Sequence, residues 1–205
     1  MIRTLTLLLL VLLSPAVFAL EDPSSMLSRE SSKLIQLVTQ HQDQLKQDPV
    51  FARRLMRKNI VPLVDAKGLA KGVLGKYGRQ ANQQQIMAFQ QILTEVLIRT
   101  YAKAFTLYRN EKIEFHPARL NKKSNRAKVK AELYLSNGAP PVKLIYKLVL
   151  IDKRWLIRDL TVEGISLVGS YRSQFASQIQ RYGVAETIDR FDRQLQKLKS
   201  NDGSA

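Results

Sequence analysis

Cysteine is absent from this chain of 205 residues, and histidine occurs only twice, as His41 and His116. The lack of cysteine excludes disulfides, thiolate nucleophiles, cysteine-ligated zinc and lipid attachment to an N-terminal cysteine. Two histidines cannot form a three-histidine zinc site, and neither has a second ligand at the His-x-x-x-His spacing. We therefore expect no metal centre and no cofactor, and we assign both histidines structural or solvated roles.

Acidic residues are scarce: the chain has 17 Asp and Glu but 33 Lys and Arg, so its net charge is +16. Such a charge favours polyanions or anionic membrane surfaces as neighbours. The basic runs, such as Lys122-Lys123 and Arg53-Arg54, lack the interleaved aromatic residues on which nucleic-acid bases stack. We therefore expect no nucleic-acid partner, and we interpret the basic runs as solvated faces near lipid headgroups.

The first 19 residues have the pattern of a cleavable signal peptide. Arg3 precedes an apolar run over residues 5–13, which Ser14-Pro15 ends. Val17 and Ala19 fit the positions that a signal peptidase reads, so we predict cleavage after Ala19. The run is shorter than the ~20 residues needed to span a bilayer. The mature chain is therefore predicted to be exported to the periplasm of a bacterium with two membranes.

The mature chain has neither a long Gly/Ser linker nor an internal repeat, and 45% of all residues are hydrophobic. This indicates one packed domain over residues 20–200, a polar tail over residues 201–205 and a monomer in solution. Apolar residues recur every three to four positions up to Tyr108 and predict helices. The first covers residues 23–47, and later ones begin after the caps Asp48, Asp65 and Asn82.

The hydrophobic period changes to two after Tyr108. Residues 112–118, 126–135, 142–151 and 155–162 alternate between apolar and polar side chains, which predicts about four strands. Ser166 or Ser170 then introduces helices that Gly183 separates. Consecutive strands between two groups of helices indicate an α+β fold, with helices packed around a curved antiparallel sheet.

Catalytic motifs are incomplete. The glycine-rich residues 68–76 would need Gly in place of Ala70 and Ser or Thr in place of Tyr77, and a preceding strand, to form a P-loop. Ser166 lies in part of a nucleophile-elbow pattern, but Val168 replaces the second glycine, so a helix cap is the better interpretation. No carboxylate pair stands out. We therefore expect that the protein is not an enzyme.

Two ordered blocks of residues carry a resemblance to a known family. The first block comprises Asp65, Leu69-Ala70, Gly72, Leu74-Gly75-Lys76-Tyr77, Arg79, Phe89, Thr100-Tyr101-Ala102 and Tyr108. The second comprises Trp155, Asp159, Val162-Glu163-Gly164-Ile165-Ser166-Leu167-Val168, Tyr171-Arg172-Ser173-Gln174-Phe175 and Gly183. Together they resemble the MlaC family, also called toluene-tolerance phospholipid-binding proteins, over most of the mature chain.

The resemblance implies a soluble periplasmic carrier that holds a phospholipid by its acyl chains. Such a carrier moves lipid between an outer-membrane lipoprotein–porin complex and an inner-membrane ABC transporter complex, which maintains the lipid asymmetry of the outer membrane. It changes no covalent bond. Acyl chains can cross water only inside an apolar cavity, because each buried CH2 contributes about 0.8 kcal/mol.

We expect that cavity between the sheet and the long helix after Asn82. The apolar residues that fit its walls are Leu93, Val96, Leu97, Tyr101, Val129, Ala131, Leu133, Tyr146, Leu148 and Leu150. Ile165 and Val168 are expected near its mouth, and Arg172 and Arg53 are candidates for contact with the headgroup or a partner. Each apolar residue also fits an ordinary core position.

A second function remains open on the sequence alone. A small secreted adaptor or chaperone-like module would use the same apolar stripes as core and dock an acidic protein on its basic face. This alternative predicts that no lipid copurifies with the protein.

Overall fold

The computed structural model describes residues 20–202, so the predicted signal peptide and residues 203–205 lie outside the described part of the chain. The helices in this part are α1 (Pro23–Gln40), α2 (Gln42–Gln47), α3 (Pro49–Asn59), α4 (Ala66–Leu74), α5 (Gln83–Tyr101), α6 (Lys103–Thr106) and α7 (Leu167–Asp202). The strands are β1 (Lys112–Phe115), β2 (Arg119–Leu120), β3 (Arg126–Tyr134), β4 (Val142–Ile151), β5 (Arg154–Val162) and β6 (Ile165–Ser166). Short 3-10 turns follow α3 and α4.

The predicted helix caps are confirmed. The carboxylate of Asp48 accepts from the Phe51 amide at 2.8 Å, and that of Asp65 accepts from the Gly68 amide at 2.9 Å. Asn82 forms a capping box with Gln85, in which each side chain bonds the backbone N–H of the other. A side-chain acceptor at the cap satisfies one of the free amides of the first turn, which is why these positions end the preceding loop.

The helix bounds differ from the expectation in three places. The helix predicted over residues 23–47 breaks at His41, and α2 follows as a separate helix that buries Leu45. The long helix ends at Tyr101, and α6 follows it as a separate short turn. Residues 201 and 202, predicted as tail, continue α7. Gly183 breaks α7 at a φ of 79°, which glycine adopts without strain.

The sheet confirms the α+β prediction. Its strand order is β1-β3-β4-β5-β6, all neighbouring pairs are antiparallel, and β2 also pairs with β3. The four longer strands match the four predicted ones, while β2 and β6 have two residues each and are too short to show a period. Strand β1 ends at Phe115, before Pro117, which has no N–H to donate to a ladder.

The two faces of the sheet have different chemistry. Side chains on β3, β4 and β5 alternate between an inner face, which is apolar, and an outer face, which carries most of the charged residues. A bulge between Lys147 and Leu148 shifts the register with β5 and places Arg158 and Asp159 together opposite the same part of β4. The inner face consists of Ala127, Val129, Ala131, Leu133, Val142, Leu144, Tyr146, Leu148, Leu150, Trp155, Ile157, Leu160 and Val162.

In the described part of the chain, three clusters of buried apolar residues fill the interior. The helical cluster is formed by α4, α5 and α7 around Phe89, Leu93 and Phe175. The sheet cluster joins the inner face to the start of α1. The third cluster packs the end of α1 with α2, α3 and the residues after α5. An ion pair between Arg57 of α3 and Glu95 of α5 links the third cluster to the helical one.

Within residues 20–202 the longest apolar helical stretches fall short of what a membrane crossing requires.

Candidate functional site

The most distinctive apolar surface is one end of the inner face. Ala131 and Leu144 are buried, at 2% and 7% exposure, but neither belongs to any of the three clusters. Their neighbours on the same face are only partly buried and also lie outside the clusters. We call this surface the apolar patch; it consists of Ala131, Leu133, Val142, Leu144, Leu160 and Val162. It is sheltered from water without being part of a packed core.

An exposed apolar residue borders the apolar patch. Ile165 of β6 pairs with Val162 in the antiparallel register, and 65% of its surface is exposed. Gly164, with a φ of 83°, makes the tight turn between β5 and β6. The apolar patch therefore continues to the protein surface at this end, through Ile165.

The opposite end of the inner face is tightly covered by α1. Met26 and Leu27 pack on Val129 and Leu148. The indole N–H of Trp155 donates to the backbone oxygen of Glu21 at 3.0 Å, which fixes the chain just before α1 begins. Because Trp155 is the only tryptophan of the chain, its fluorescence reports on this face alone.

Tyr146 lies between the covered end and the apolar patch. Its ring packs against that of Phe115, with centroids 5.8 Å apart. Burial raises the pKa of Tyr146 to about 12. The middle of the inner face is therefore uncharged and poorly hydrated, which suits an apolar ligand.

A buried carboxylate joins the sheet to α7 beside the apolar patch. Asp159 accepts from the Ser166 hydroxyl at 2.8 Å, from the Val168 amide at 3.2 Å and from Lys147 Nζ at 2.8 Å. Burial acts to raise the pKa of Asp159, but these hydrogen bonds outweigh it and hold the pKa below its usual range. Ser166 in turn accepts from the Gly169 amide at 3.0 Å, which confirms its predicted role as a helix cap.

A second ion pair joins the sheet to α4. Arg158, next to Asp159 at the bulge, contacts the carboxylate of Asp65, which also caps α4. The guanidinium passes directly over Gly68, where any Cβ would collide with Arg158 and Asp65. Two adjacent residues of β5 thus hold both helices that flank the sheet.

The structure separates the predicted cavity residues into two groups. Leu93, Val96, Leu97 and Tyr101 of α5 pack with α4 and α7 in the helical cluster. Val129, Tyr146, Leu148 and Leu150 pack with α1 in the sheet cluster, and Ala131 and Leu133 lie in the apolar patch. The α5 residues therefore pack in a different cluster from the sheet residues that they were expected to face. The wide apolar stripe of α5 is instead buried by two other helices.

The remaining predicted site residues lie around α7 and α3. Val168 packs against the helical cluster close to Gly72. Arg172 is exposed, and its Nε donates to the backbone oxygen of Gly72 at 2.8 Å, so the side chain fastens α7 to α4. Arg53 is half-buried on α3.

Four residues of the apolar patch were not selected from the sequence: Val142, Leu144, Leu160 and Val162. Leu144 shares the alternation of Tyr146 and Leu148, which was a usable signal. Leu160 and Val162 were missed because the bulge reverses which residues of β5 face inward.

The described residues include no group of three or more His, Asp or Glu side chains placed to hold a metal ion.

Comparisons with known proteins agree with this architecture. The family model described as MlaC protein matches residues 28–193. The toluene tolerance protein ttg2D of Pseudomonas putida is 31% identical over 185 residues, which cover 88% of this chain and 85% of the relative. The chain belongs to the MlaC family. The resemblance found in the two sequence blocks is thereby confirmed.

Other MlaC-like proteins are similar over nearly the same length. The intermembrane phospholipid transport system binding protein MlaC of Haemophilus influenzae is 23% identical over 184 residues, 89% of this chain and 86% of the relative. A solved structure of a phospholipid-binding protein from Ralstonia solanacearum, in complex with a phospholipid, superimposes with a TM-score of 0.76 at 25% identity. The match covers 87% of this chain and 99% of that chain.

Proposed function

We propose that this MlaC-family protein is a phospholipid carrier and that the apolar patch receives the acyl chains. The observation that carries the proposal is the likeness to a phospholipid-bound protein over 99% of that protein's chain. The patch supports it because it offers apolar surface that is sheltered from water but left out of the three packed clusters. Apolar clefts with few polar groups are the usual form of lipid and small-molecule sites.

The free energy that favours lipid binding would come from the transfer of acyl chains out of water. Each CH2 group that moves from water onto the inner face contributes about 0.8 kcal/mol, so even partial burial of two chains gives stable binding. The headgroup would stay at the surface beside Ile165, where the patch reaches solvent. Binding and release change no covalent bond, and the protein needs no catalytic group for this work.

Admission of a lipid would require the sheet and the helices to separate locally. Asp159 and Arg158 hold α7 and α4 on one side of the sheet, and Trp155 holds the start of α1 on the other. We place the movement at the apolar patch, because it lies between these fixed points and outside the packed clusters. Docking to a membrane complex would favour the open state by binding it more tightly than the closed one.

The cellular setting follows from the same proposal. We infer export to the periplasm through cleavage after Ala19, and shuttling between an outer-membrane lipoprotein–porin complex and an inner-membrane ABC transporter complex. This traffic would maintain the lipid asymmetry of the outer membrane. The name of the Haemophilus influenzae relative, which assigns that protein to an intermembrane phospholipid transport system, supports this proposal.

Two alanines on the same face of β3 provide the test. Ala131 belongs to the apolar patch, whereas Ala127, four residues away, lies inside the packed sheet cluster. Ala131→Phe should fill the acyl-chain space and reduce copurifying phospholipid several-fold, while the protein keeps its fold. Ala127→Phe should cost about 1–3 kcal/mol of stability through overpacking but leave the lipid content of the folded fraction near that of the wild type.

Lipid content is measured by solvent extraction and mass spectrometry of detergent-free periplasmic protein, and the fold by Trp155 fluorescence and circular dichroism. Equal lipid content in wild type and Ala131→Phe would remove the apolar patch from the proposal. A wild-type protein without any lipid, before and after incubation with phospholipid vesicles, would instead favour a basic adaptor whose apolar residues are all core.

A further inference from the structure

Two turns of the sheet form a strongly basic end, opposite to the apolar patch. The β2–β3 turn and the β4–β5 turn lie side by side, since the Leu150 amide donates to the Asn125 oxygen at 2.9 Å. Asp152 is the only acidic residue in these two turns. We call this surface the basic end; its exposed cations are Arg119, Lys122, Lys123, Arg126, Lys153 and Arg154.

A row of like charges extends from the basic end across the outer face. The register places Arg119 opposite Lys128, and Lys128 opposite Lys147. Like charges directly opposite each other destabilise a sheet. Lys147 is neutralised by Asp159 at 2.8 Å, but Arg119 and Lys128 have no acidic partner within residues 20–202. The fold thus retains a destabilising arrangement, which an anionic surface outside the molecule would relieve.

The same region contains a cleft of about 420 Å³ and an exposed apolar side chain. The cleft is lined by Arg119, Leu120, Arg126, Lys128, Lys147 and Arg158, among others. Half of the surface of Leu120 is exposed, between flanking cations. Cations around a protruding apolar residue are the composition of surfaces that rest in the headgroup region of a membrane. The turns carry no aromatic residues, which argues against stacking with nucleic-acid bases.

We propose that the basic end docks on the surface of an anionic phospholipid bilayer, an interaction beyond the carriage of lipid itself. A bilayer fits better than an acidic protein because the exposed cations extend beyond the cleft over both turns, with Lys122, Lys123, Lys153 and Arg154 outside its lining. Each cation near an anionic surface then strengthens membrane partitioning about five-fold at physiological salt. Leu120 adds a contribution that does not depend on charge.

Co-sedimentation with vesicles tests the proposal. The full mature chain is mixed with vesicles of phosphatidylcholine, with or without phosphatidylglycerol, at low and high salt. We expect binding only to the anionic vesicles, weakened by salt because the Debye length shortens. The double variant Lys122→Gln/Lys123→Gln should lower partitioning about 25-fold, and Leu120→Ser should lower it without a change in charge.

The matched control is Lys58→Gln/Lys103→Gln, which removes the same charge from exposed positions on α3 and α6. It should retain most of the binding. Equal loss in both double variants would overturn the proposal, because net charge alone would then explain the effect. Binding to polyglutamate but not to anionic vesicles would also overturn it and assign the basic end to an acidic protein. Copurifying lipid is measured on the same variants, so that failure of the carrier proposal is recognised separately.

Discussion

Replacement of Asp159 by alanine should loosen the junction between the sheet and α7. Asp159 is 6% exposed, and its carboxylate accepts hydrogen bonds from Ser166, Val168 and Lys147. Its loss removes the acceptor for the first turn of α7 and leaves the Ser166 hydroxyl without its partner on β5. The structural consequence should be local, at β6 and the beginning of α7.

The magnitude follows from the three contacts. The bond to the Val168 amide is of the helix-cap type and contributes about 1 kcal/mol. The hydroxyl bond to a charged acceptor contributes about 1.5–3 kcal/mol. The ion pair with Lys147 contributes at most about 1 kcal/mol, because half of the lysine side chain is exposed. We expect a loss of about 3–4 kcal/mol, which lowers Tm by about 10 °C in a domain of this size.

Urea and thermal denaturation, followed by Trp155 fluorescence, measure the effect, with Lys147→Met as the comparison variant. Lys147→Met should cost about 1 kcal/mol or less, since it removes only the screened ion pair. The reasoning would be refuted if Lys147→Met destabilised the protein as much as Asp159→Ala. A cost below about 1 kcal/mol for Asp159→Ala would equally contradict it.

Three further perturbations have definite expected outcomes. The free energy of unfolding, measured by urea titration, should fall as the pH decreases below about 5. The folded state lowers the pKa of Asp159, so the unfolded chain binds a proton there at a higher pH than the folded one. Asp159→Ala should show a weaker dependence of stability on pH. Trp155→Phe should lower the free energy of unfolding by about 1–2 kcal/mol, because it removes the hydrogen bond to the Glu21 oxygen. Amide hydrogen exchange at residues 22–27 should become faster, and unchanged exchange would argue against this role of Trp155. Gly68→Ala should lower Tm by several degrees, since its methyl group displaces Arg158; a neutral effect would contradict the close approach.

Local features of the fold were predictable from the sequence. Asp48, Asp65 and Asn82 bond amides only three residues away, so the chemistry that starts each helix is contained in a short segment. The alternation within β3 and β4 likewise identified the inner face, because side chains of a strand point alternately to its two sides. These features need no knowledge of distant parts of the chain.

The candidate site could be predicted only in part, because packing partners are not local. The apolar stripe of α5 specifies that Leu93 and Val96 are buried, but not that α4 and α7 bury them in place of the sheet. The bulge at Lys147 and Leu148 changes which residues of β5 face inward, and the alternating pattern alone does not reveal it. The ion pair between Arg158 and Asp65 joins residues that are far apart in sequence, so no rule based on sequence spacing would have predicted it.

The most direct test of the carrier proposal is native mass spectrometry of the mature protein purified from periplasm without detergent. We predict a complex with stoichiometric phospholipid. A mass equal to the mature chain alone, unchanged after incubation with phospholipid vesicles, would contradict the proposal.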